Sequence, residues 1–151
     1  MSVTPEQLIN EARKWLGVNY ASQGRTREIG LDCGGLLLVV GRALGLTELE
    51  ELGYSNSPDG ERFEQLLDEN CDRVEPKEDL RIGDIIAVDY GKGIQHTAFV
   101  TRLNPFSVIH AKRPLGSAQK QKGRGVIEHR LLKTNEDRRG WVRTYRIRGV
   151  E

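Results

Sequence analysis

Residues 32–45 carry the strongest structural signal of the chain, and their sequence is Asp-Cys-Gly-Gly-Leu-Leu-Leu-Val-Val-Gly-Arg-Ala-Leu-Gly. Asp32 is a good N-cap and Gly45 is a residue type that often ends a helix, so a helix is predicted from about Cys33 to Gly45. Its apolar residues surround the helix axis instead of forming one stripe. A helix of this kind is buried in the middle of a core.

A second, amphipathic helix is predicted before this stretch, near the start of the chain. Thr4 can cap it, Pro5 suits its first position, and Gln7 completes a capping box with Thr4. Apolar residues then recur on one face at helical spacing, and Gly17 suits the end of the helix. Residues 19–30 are rich in glycine, serine and charge, and are expected to form a loop between the two helices.

After the buried helix, the periodicity of the sequence changes from helical to strand-like. A loop is predicted at residues 54–60, and a short third helix around Phe63 and Leu67 is expected to end at Asn70. Beyond it, apolar and polar residues alternate in short runs that are separated by turns. The strands predicted from these runs are residues 86–90, 96–103, 108–112, 126–131 and 141–148.

This order of elements predicts a single α+β domain over residues 1–151, in which an antiparallel sheet packs on the buried helix. A hydrophobic content of 37% and a charged content of 30% are ordinary for a soluble globular protein. Residues 1–10 lack the basic and apolar regions of a signal peptide. No run approaches the ~20 apolar residues of a membrane span, so no membrane partner is expected.

The net charge of +1 is unevenly distributed, because basic residues outnumber acidic ones over residues 112–148. This segment could attract an anionic polymer, either nucleic acid or cell wall. It could equally be an ordinary solubilising strand face. Nucleic-acid binding is the weakest functional hypothesis, since no recognition motif accompanies the charge.

Cys33 is a candidate nucleophile because of its position at the start of the buried helix. A thiol in the first helical turn faces unpaired N–H groups and the positive end of the helix dipole, which favours the thiolate. The same N–H groups could hold an oxyanion, and Gly34 and Gly35 indicate that something, such as a substrate, approaches the backbone closely. The alternative is that Cys33 is a small core residue, as free cysteines usually are.

The second cysteine, Cys71, is interpreted as a buried or half-buried structural residue near the end of the third helix. Both cysteines are expected to be free thiols. Neither belongs to a Cys-x-x-Cys pair, so no metal and no cofactor are expected.

A cysteine nucleophile needs a base, and the chain has three histidines, His96, His110 and His129. His96 opens one predicted strand, and His110 lies in the next. Strand alternation can place both on one face of the sheet, roughly opposite each other, which would supply a base and an orienting partner. Each histidine taken alone is better interpreted as structural, and His129 has no comparable setting.

Five short motifs, taken in order, resemble the NlpC-type papain-like cell-wall peptidases. Residues 16–20, Leu-Gly-Val-Asn-Tyr, are similar to the family's Gly-x-Pro-Tyr element, and residues 32–36 are similar to its Asp-Cys-Ser-Gly-Leu motif. Residues 83–86 resemble its Gly-Asp-Leu strand start, residues 95–100 its catalytic histidine strand, and residues 108–111 the strand of its third polar residue. No single motif is specific, but all five in order cover most of the chain.

The resemblance implies a papain-like fold and hydrolysis of amide bonds in peptidoglycan stem peptides, typically between D-glutamate and a diamino acid. Cys33 would be the nucleophile, His96 the general base and His110 its orienting partner. The residues implied in helix capping and in substrate or oxyanion binding are Tyr20, Asp32 and Gly34. Substitutions relative to the family at Asn19, Gly34 and 97–98 leave the preferred bond open, and hydrolysis and acyl transfer on one triad remain alternatives.

The chain is especially similar to phage-tail and gene-transfer-agent members of this family, which share its length and its residues 54–60 and 141–148. Phage tail proteins are therefore candidate partners beside peptidoglycan. The protein is expected to be cytoplasmic when made, with attachment to a virion tail and release by another route both open. A competing hypothesis is a non-catalytic tail or tail-assembly module on the same fold, although the set of Cys33, His96 and His110 argues against it.

Overall fold

The computed structural model describes residues 2–48, 61–75, 77–113 and 125–151. Within them the helices are α1 (Pro5–Arg13), α2 (Cys33–Ala43), α3 (Glu61–Asn70) and α4 (Glu136–Arg139), with a 3-10 turn at Lys77–Asp79. The strands are β1 (Arg25–Thr26), β2 (Gly30–Leu31), β3 (Cys71–Arg73), β4 (Ile85–Asp89), β5 (Ile94–Leu103), β6 (Phe106–Ala111), β7 (Val126–Arg130) and β8 (Trp141–Ile147). The loop predicted at residues 54–60 lies outside the described residues.

Strands β3 to β8 form one antiparallel sheet in the order β3-β8-β4-β5-β6-β7. Helix α2 packs on β5 and β6 in the middle of this sheet, and α1 packs on α2. The predicted α+β class, with a buried helix on an antiparallel sheet, is therefore confirmed. The five strands predicted from alternation all lie in the sheet, with bounds that differ by a few residues at most.

Alternation along the strands divides their side chains between the two faces of the sheet. Ile85 and Ala87 belong to the large core that α1 and α2 cover, together with Leu36 of α2. Their chain neighbours Ile86 and Val88 belong to a second apolar cluster. Because successive strand residues point to opposite faces, this second cluster lies on the face away from α1 and α2.

Both predicted N-terminal caps are present. The Gln7 amide donates to Thr4 Oγ1 over 3.1 Å, and the Thr4 amide donates to Gln7 Oε1 over 2.8 Å, which is the predicted capping box of α1. The side chain of Asp32 accepts from the Gly35 amide and so caps α2. These caps fix the first turn of each helix and satisfy backbone donors that would otherwise lack partners.

The predicted loop at residues 19–30 was wrong in one respect, because it contains the small antiparallel pair β1–β2. The formation of this pair depends on close backbone contacts at glycines and not on a periodic pattern of apolar residues. A Cβ atom on Gly24 would lie 2.2 Å from the Gly30 carbonyl oxygen, and one on Gly30 would lie 2.4 Å from the Asn19 carbonyl oxygen. The chain can fold back so closely only because both positions lack a side chain.

The basic residues of the C-terminal strand form ion pairs. Two arginines of β8 and Arg148, which follows it, lie against carboxylates of α3, of β3 and of the residue before β4. The pairs are Arg143–Glu64, Arg146–Asp84 and Arg148–Asp72. This supports the interpretation of the segment as an ordinary charged strand face. No helix in the described part of the chain has the length and apolar content that a membrane crossing requires.

Candidate active site

The Cys33 thiol lies at the first residue of α2, against the beginning of β5. Cys33 is 9% exposed, and its sulfur donates to the Gln95 carbonyl oxygen over 3.6 Å. Thr97 approaches the sulfur with its amide and its hydroxyl. The thiol therefore contacts the chain neighbours of His96 on both sides, so the predicted nucleophile lies against the strand segment that carries the predicted base.

Burial raises the pKa of the Cys33 thiol to about 12, and the nearby Asp32 carboxylate acts in the same direction. Hydrogen bonds from Thr97 and from the Gly34 amide favour the thiolate but are outweighed. The helix start favours the thiolate in the expected direction, but in the resting protein burial outweighs it and the thiol stays protonated near pH 7. The free-energy cost of desolvating a buried thiolate exceeds the stabilisation that the amides and the helix dipole provide.

Asp32 holds the first turn of α2 against the β1–β2 pair. One carboxylate oxygen accepts from the Gly35 amide over 2.7 Å and lies 3.2 Å from the Arg25 guanidinium, and the other accepts from the Gln23 amide over 2.7 Å. A Cβ atom on Gly35 would lie 2.5 Å from the Gly24 carbonyl oxygen. Gly35 is therefore explained by this backbone approach and not by a substrate.

His96 and His110 meet on one face of the sheet, as their strand positions predicted. His96 Nε2 and His110 Nδ1 are 2.7 Å apart, and both rings are buried. Burial lowers the pKa of His96 to about 4, with Asp137 opposing this and Lys112 adding to it. Burial, with smaller contributions from the neighbouring histidines, also holds the pKa of His110 well below its ordinary value. Both imidazoles are therefore neutral near pH 7.

His129 belongs to the same cluster, which the sequence analysis missed. Its Nε2 lies 2.9 Å from His110 Nε2, and its Nδ1 lies 2.9 Å from the carbonyl oxygen of Arg130. In the β6–β7 register His129 is opposite Val108, so it is a diagonal neighbour of His110 on the same face. The expectation that His129 has no comparable setting is wrong, and the pairing register was the missing information.

Asp137 is a second residue that the sequence analysis missed. It comes from the short helix α4, is 2% exposed, and accepts hydrogen bonds from the Tyr90 hydroxyl and from Lys112 Nζ, the latter over 2.9 Å. Its Oδ2 lies 4.0 Å from His110 Nδ1. Burial acts to raise the pKa of Asp137, but His96, Tyr90 and Lys112 together hold it below its ordinary value.

Three of these side chains offer atoms that could hold a metal ion. One ligand atom from each of His96, His110 and Asp137 lies within 4.8 Å of the other two, and nitrogen and carboxylate donors suit zinc. The two imidazole nitrogens are already hydrogen-bonded to each other, and Asp137 is paired with Lys112. An ion could bind here only if both interactions were broken.

Tyr20 lies at the rim of the site, where the sequence predicted a hydroxyl. Burial raises its pKa to about 12, and the neighbouring Cys33 and Asp32 add to this, so the hydroxyl stays protonated and able to donate. The residue is held by a bridge to Leu31. The chain just before Tyr20 packs closely on Gly125. A Cβ atom at Gly125 would lie 2.1 Å from the Val18 carbonyl oxygen.

Several solved structures are similar to this chain, including the following two. The NlpC/p60 domain of the peptidoglycan hydrolase SagA matches with a TM-score of 0.57 and 21% identity, over 85% of this chain and 90% of that one. A Staphylococcus aureus protein of the NLP/P60 family, described as similar to lipoprotein, matches with a TM-score of 0.61 and 18% identity. That match covers 95% of this chain and 41% of the other, so this chain spans less than half of its length.

The fold is thus the papain-like fold of NlpC/p60 domains, as the sequence resemblance implied. At identities this low, the likeness concerns the fold alone. No protein-family model matches the sequence, and no curated protein matches it. The similarity to phage-tail and gene-transfer-agent members is tested by neither structure and stays a prediction.

Proposed function

We propose that this protein is a cysteine peptidase that hydrolyses amide bonds in peptidoglycan stem peptides. The observation that carries the proposal is the position of the Cys33 thiol, which contacts β5 on both sides of His96. The substrate class is supported by the fold, since one structure with this fold is that of a peptidoglycan hydrolase. The proposed triad is Cys33, His96 and His110.

In the proposed reaction, neutral His96 removes the thiol proton of Cys33 as the sulfur attacks the amide carbonyl. The His110 bond to Nε2 of His96 orients the imidazole and stabilises the imidazolium that forms. His96 then returns the proton to the leaving amine. Water, deprotonated by His96, cleaves the thioester and releases the carboxylate product, and His96 returns the proton to the Cys33 sulfur.

The oxyanion of the tetrahedral intermediate would be held at the start of α2. The Gly35 amide is already bonded to Asp32 and the Gly34 amide faces the Cys33 sulfur in the resting protein, so the Cys33 amide, and the Gly34 amide once the sulfur has attacked, would be the helix-start donors. The protonated hydroxyl of Tyr20, whose pKa the neighbouring Cys33 helps to raise, would contribute a third hydrogen bond. Because the resting thiol is neutral, these donors stabilise charge that develops only during the reaction.

Digestion of purified peptidoglycan tests the proposal, with released fragments identified by mass spectrometry. The wild type and the matched control Cys71→Ala are expected to release stem-peptide fragments, whereas Cys33→Ala and His96→Ala release none above background. Activity retained in Cys33→Ala or His96→Ala would overturn the mechanism. A folded wild type without activity on peptidoglycan or acyl-transfer substrates, but with a stable complex with tail proteins, would favour the non-catalytic tail module.

A further inference from the structure

The three histidines form a continuous hydrogen-bonded row that ends on a backbone carbonyl. From the outer end, the row runs from the Arg130 carbonyl oxygen to His129 Nδ1, from His129 Nε2 to His110 Nε2, and from His110 Nδ1 to His96 Nε2. The distances between the bonded atoms are 2.9, 2.9 and 2.7 Å in that order. Each bond needs one donor and one acceptor, so the row constrains where every proton lies.

The carbonyl sets the direction of the row because it can only accept. Its hydrogen bond therefore places a proton on His129 Nδ1, and a neutral His129 then has its lone pair on Nε2. His110 must donate to that lone pair from Nε2, which leaves the lone pair of His110 on Nδ1. His96 must in turn donate from Nε2, and the lone pair of His96 is left on Nδ1.

We propose that His129 is a positioning residue of the active site. Bonded to the Arg130 carbonyl, it sets the tautomers of His110 and His96 and leaves the lone pair of His96 on Nδ1. This inference rests on the proposed function, because Nδ1 is the nitrogen that must then take the Cys33 proton. His110 alone would orient the His96 ring equally well in either tautomer, so a third imidazole is needed to choose between them.

Asp137 does not override this direction. Its Oδ2 is 4.0 Å from His110 Nδ1, which is too far for a hydrogen bond, and its oxygens already accept from Lys112 and Tyr90. The reverse set of tautomers would place protons on both nitrogens of His129. It therefore requires one more proton in the row than the neutral state holds.

The row also gives the thiol proton a path to a better solvated position. When Cys33 gives its proton to His96 Nδ1, an S–H bond breaks and an N–H bond forms. His96 can pass its Nε2 proton to His110 Nδ1, and His110 can pass its Nε2 proton to His129 Nε2. This places the transferred proton at His129, which is only half-buried and borders a surface cavity of about 420 Å³ that Glu128 and the arginines Arg13, Arg102 and Arg130 also line.

Nitrogen-15 NMR of the histidine side chains tests the tautomers in the resting protein at mildly alkaline pH. The expected protonated nitrogens are Nδ1 of His129, Nε2 of His110 and Nε2 of His96. A proton on Nδ1 of His110 or His96 in the resting wild type would overturn the inference. This measurement requires no hydrolysis, so its result is independent of whether peptidoglycan is the substrate.

Two variants of His129 separate tautomer control from simple packing. Lysine at this position can only donate, so in His129→Lys the protons of His110 and His96 are expected on Nδ1, and kcat falls by at least about 100-fold with little change in KM. His129→Gln keeps an acceptor oxygen and is expected to retain the wild-type tautomers and activity within about tenfold.

Unfolding curves show whether each variant folds before its spectrum is compared. Unchanged tautomers of His110 and His96 in folded His129→Lys would contradict the proposal. Equal losses of activity in both variants, with wild-type tautomers in both, would reduce His129 to a packing role and also overturn it. If His129→Lys does not fold, the wild-type and His129→Gln spectra still decide between the two sets of tautomers.

Discussion

Cys33 and Cys71 are both buried free thiols, and burial raises the pKa of each to about 12. Cys33 begins a helix and contacts the strand that carries His96. Cys71 begins the edge strand β3 and lines an apolar cavity with Leu66 and Leu67, and Arg148 acts to lower its pKa but is outweighed by burial. The two thiols thus have similar pKa values but different surroundings. Cys33 lies against the strand that carries a possible proton acceptor, whereas no imidazole is described beside Cys71.

The comparison shows that acidity in the resting state does not identify the nucleophile here. Both thiols are neutral at pH 7, so a difference in reactivity must come from what can accept the proton during the reaction. The two regions also differ in their packing. The first turn of α2, which begins at Cys33, lies in close backbone contact with β1–β2. The cavity beside Cys71 is instead bordered in part by Gly41, which has no side chain.

The largest expected difference is in alkylation by iodoacetamide near neutral pH. Cys33 is expected to react faster than Cys71, because His96 can take its proton. In His96→Gln the rate at Cys33 should fall on the order of 1,000-fold, while the rate at Cys71 stays the same. Peptide mapping by mass spectrometry over time gives both rates in one sample, with Cys71 as the internal control. Equal rates at Cys33 in the two proteins would show that His96 does not serve this thiol.

The next largest effect is in the dependence of stability on pH. The pKa of His96 is about 4 in the folded protein and 6.5 in the unfolded one, so below pH 6.5 the unfolded state binds protons that the folded state does not. The free energy of unfolding should therefore fall as the pH drops from about 6.5 through 4, by about 3 kcal/mol from this residue.

Urea unfolding at pH 7 and at pH 4 measures this effect. The wild type should lose about 3 kcal/mol more than His96→Gln over this interval. Cys71→Ala, which alters the other region, should lower stability by a similar amount at both pH values. The same loss in His96→Gln as in the wild type would mean that the buried imidazole does not make this region acid-sensitive.

The smallest expected effect comes from two glycines of α2. In Gly35→Ala the new Cβ would lie 2.5 Å from the Gly24 carbonyl oxygen, so we expect a loss of about 2 kcal/mol in the free energy of unfolding. In Gly41→Ala the nearest contact is the Thr47 methyl at 3.1 Å, and a gain in helix propensity of about 1 kcal/mol offsets that contact. Thermal and urea unfolding measure the stability of both variants. Unchanged stability in Gly35→Ala would show that β1–β2 is free to move away from Cys33.

The parts of the fold that depend on local chemistry could be predicted from the sequence. The caps at Thr4 and Asp32, the buried α2 and the alternating strands each arise within a few neighbouring residues. The β1–β2 pair could not be predicted, since it exists because Gly24 and Gly30 allow backbones from different turns to touch. Strand β3 has only three residues, too few for a periodic pattern.

The candidate site divides in the same way. His96 and His110 could be matched because adjacent strands joined by a short turn have a nearly determined register. His129 needed the register of β7, which is separated from β6 by residues 112–125, and no local pattern sets that register. Asp137 reaches the site from a four-residue helix whose place depends on the tertiary fold, and a lone aspartate gives no periodic signal.

The way in which edge strand β7 is covered has a consequence for solubility. The Val126 amide and carbonyl bond to the Val18 carbonyl and the Gly17 amide, and Arg13 of α1 grips Glu128 with two hydrogen bonds of 2.9 and 2.8 Å. A loop and a charged pair therefore occupy the positions where a strand from another molecule would add. At this edge the fold limits pairing with a strand from another molecule, and loss of the Arg13 side chain would remove part of that cover.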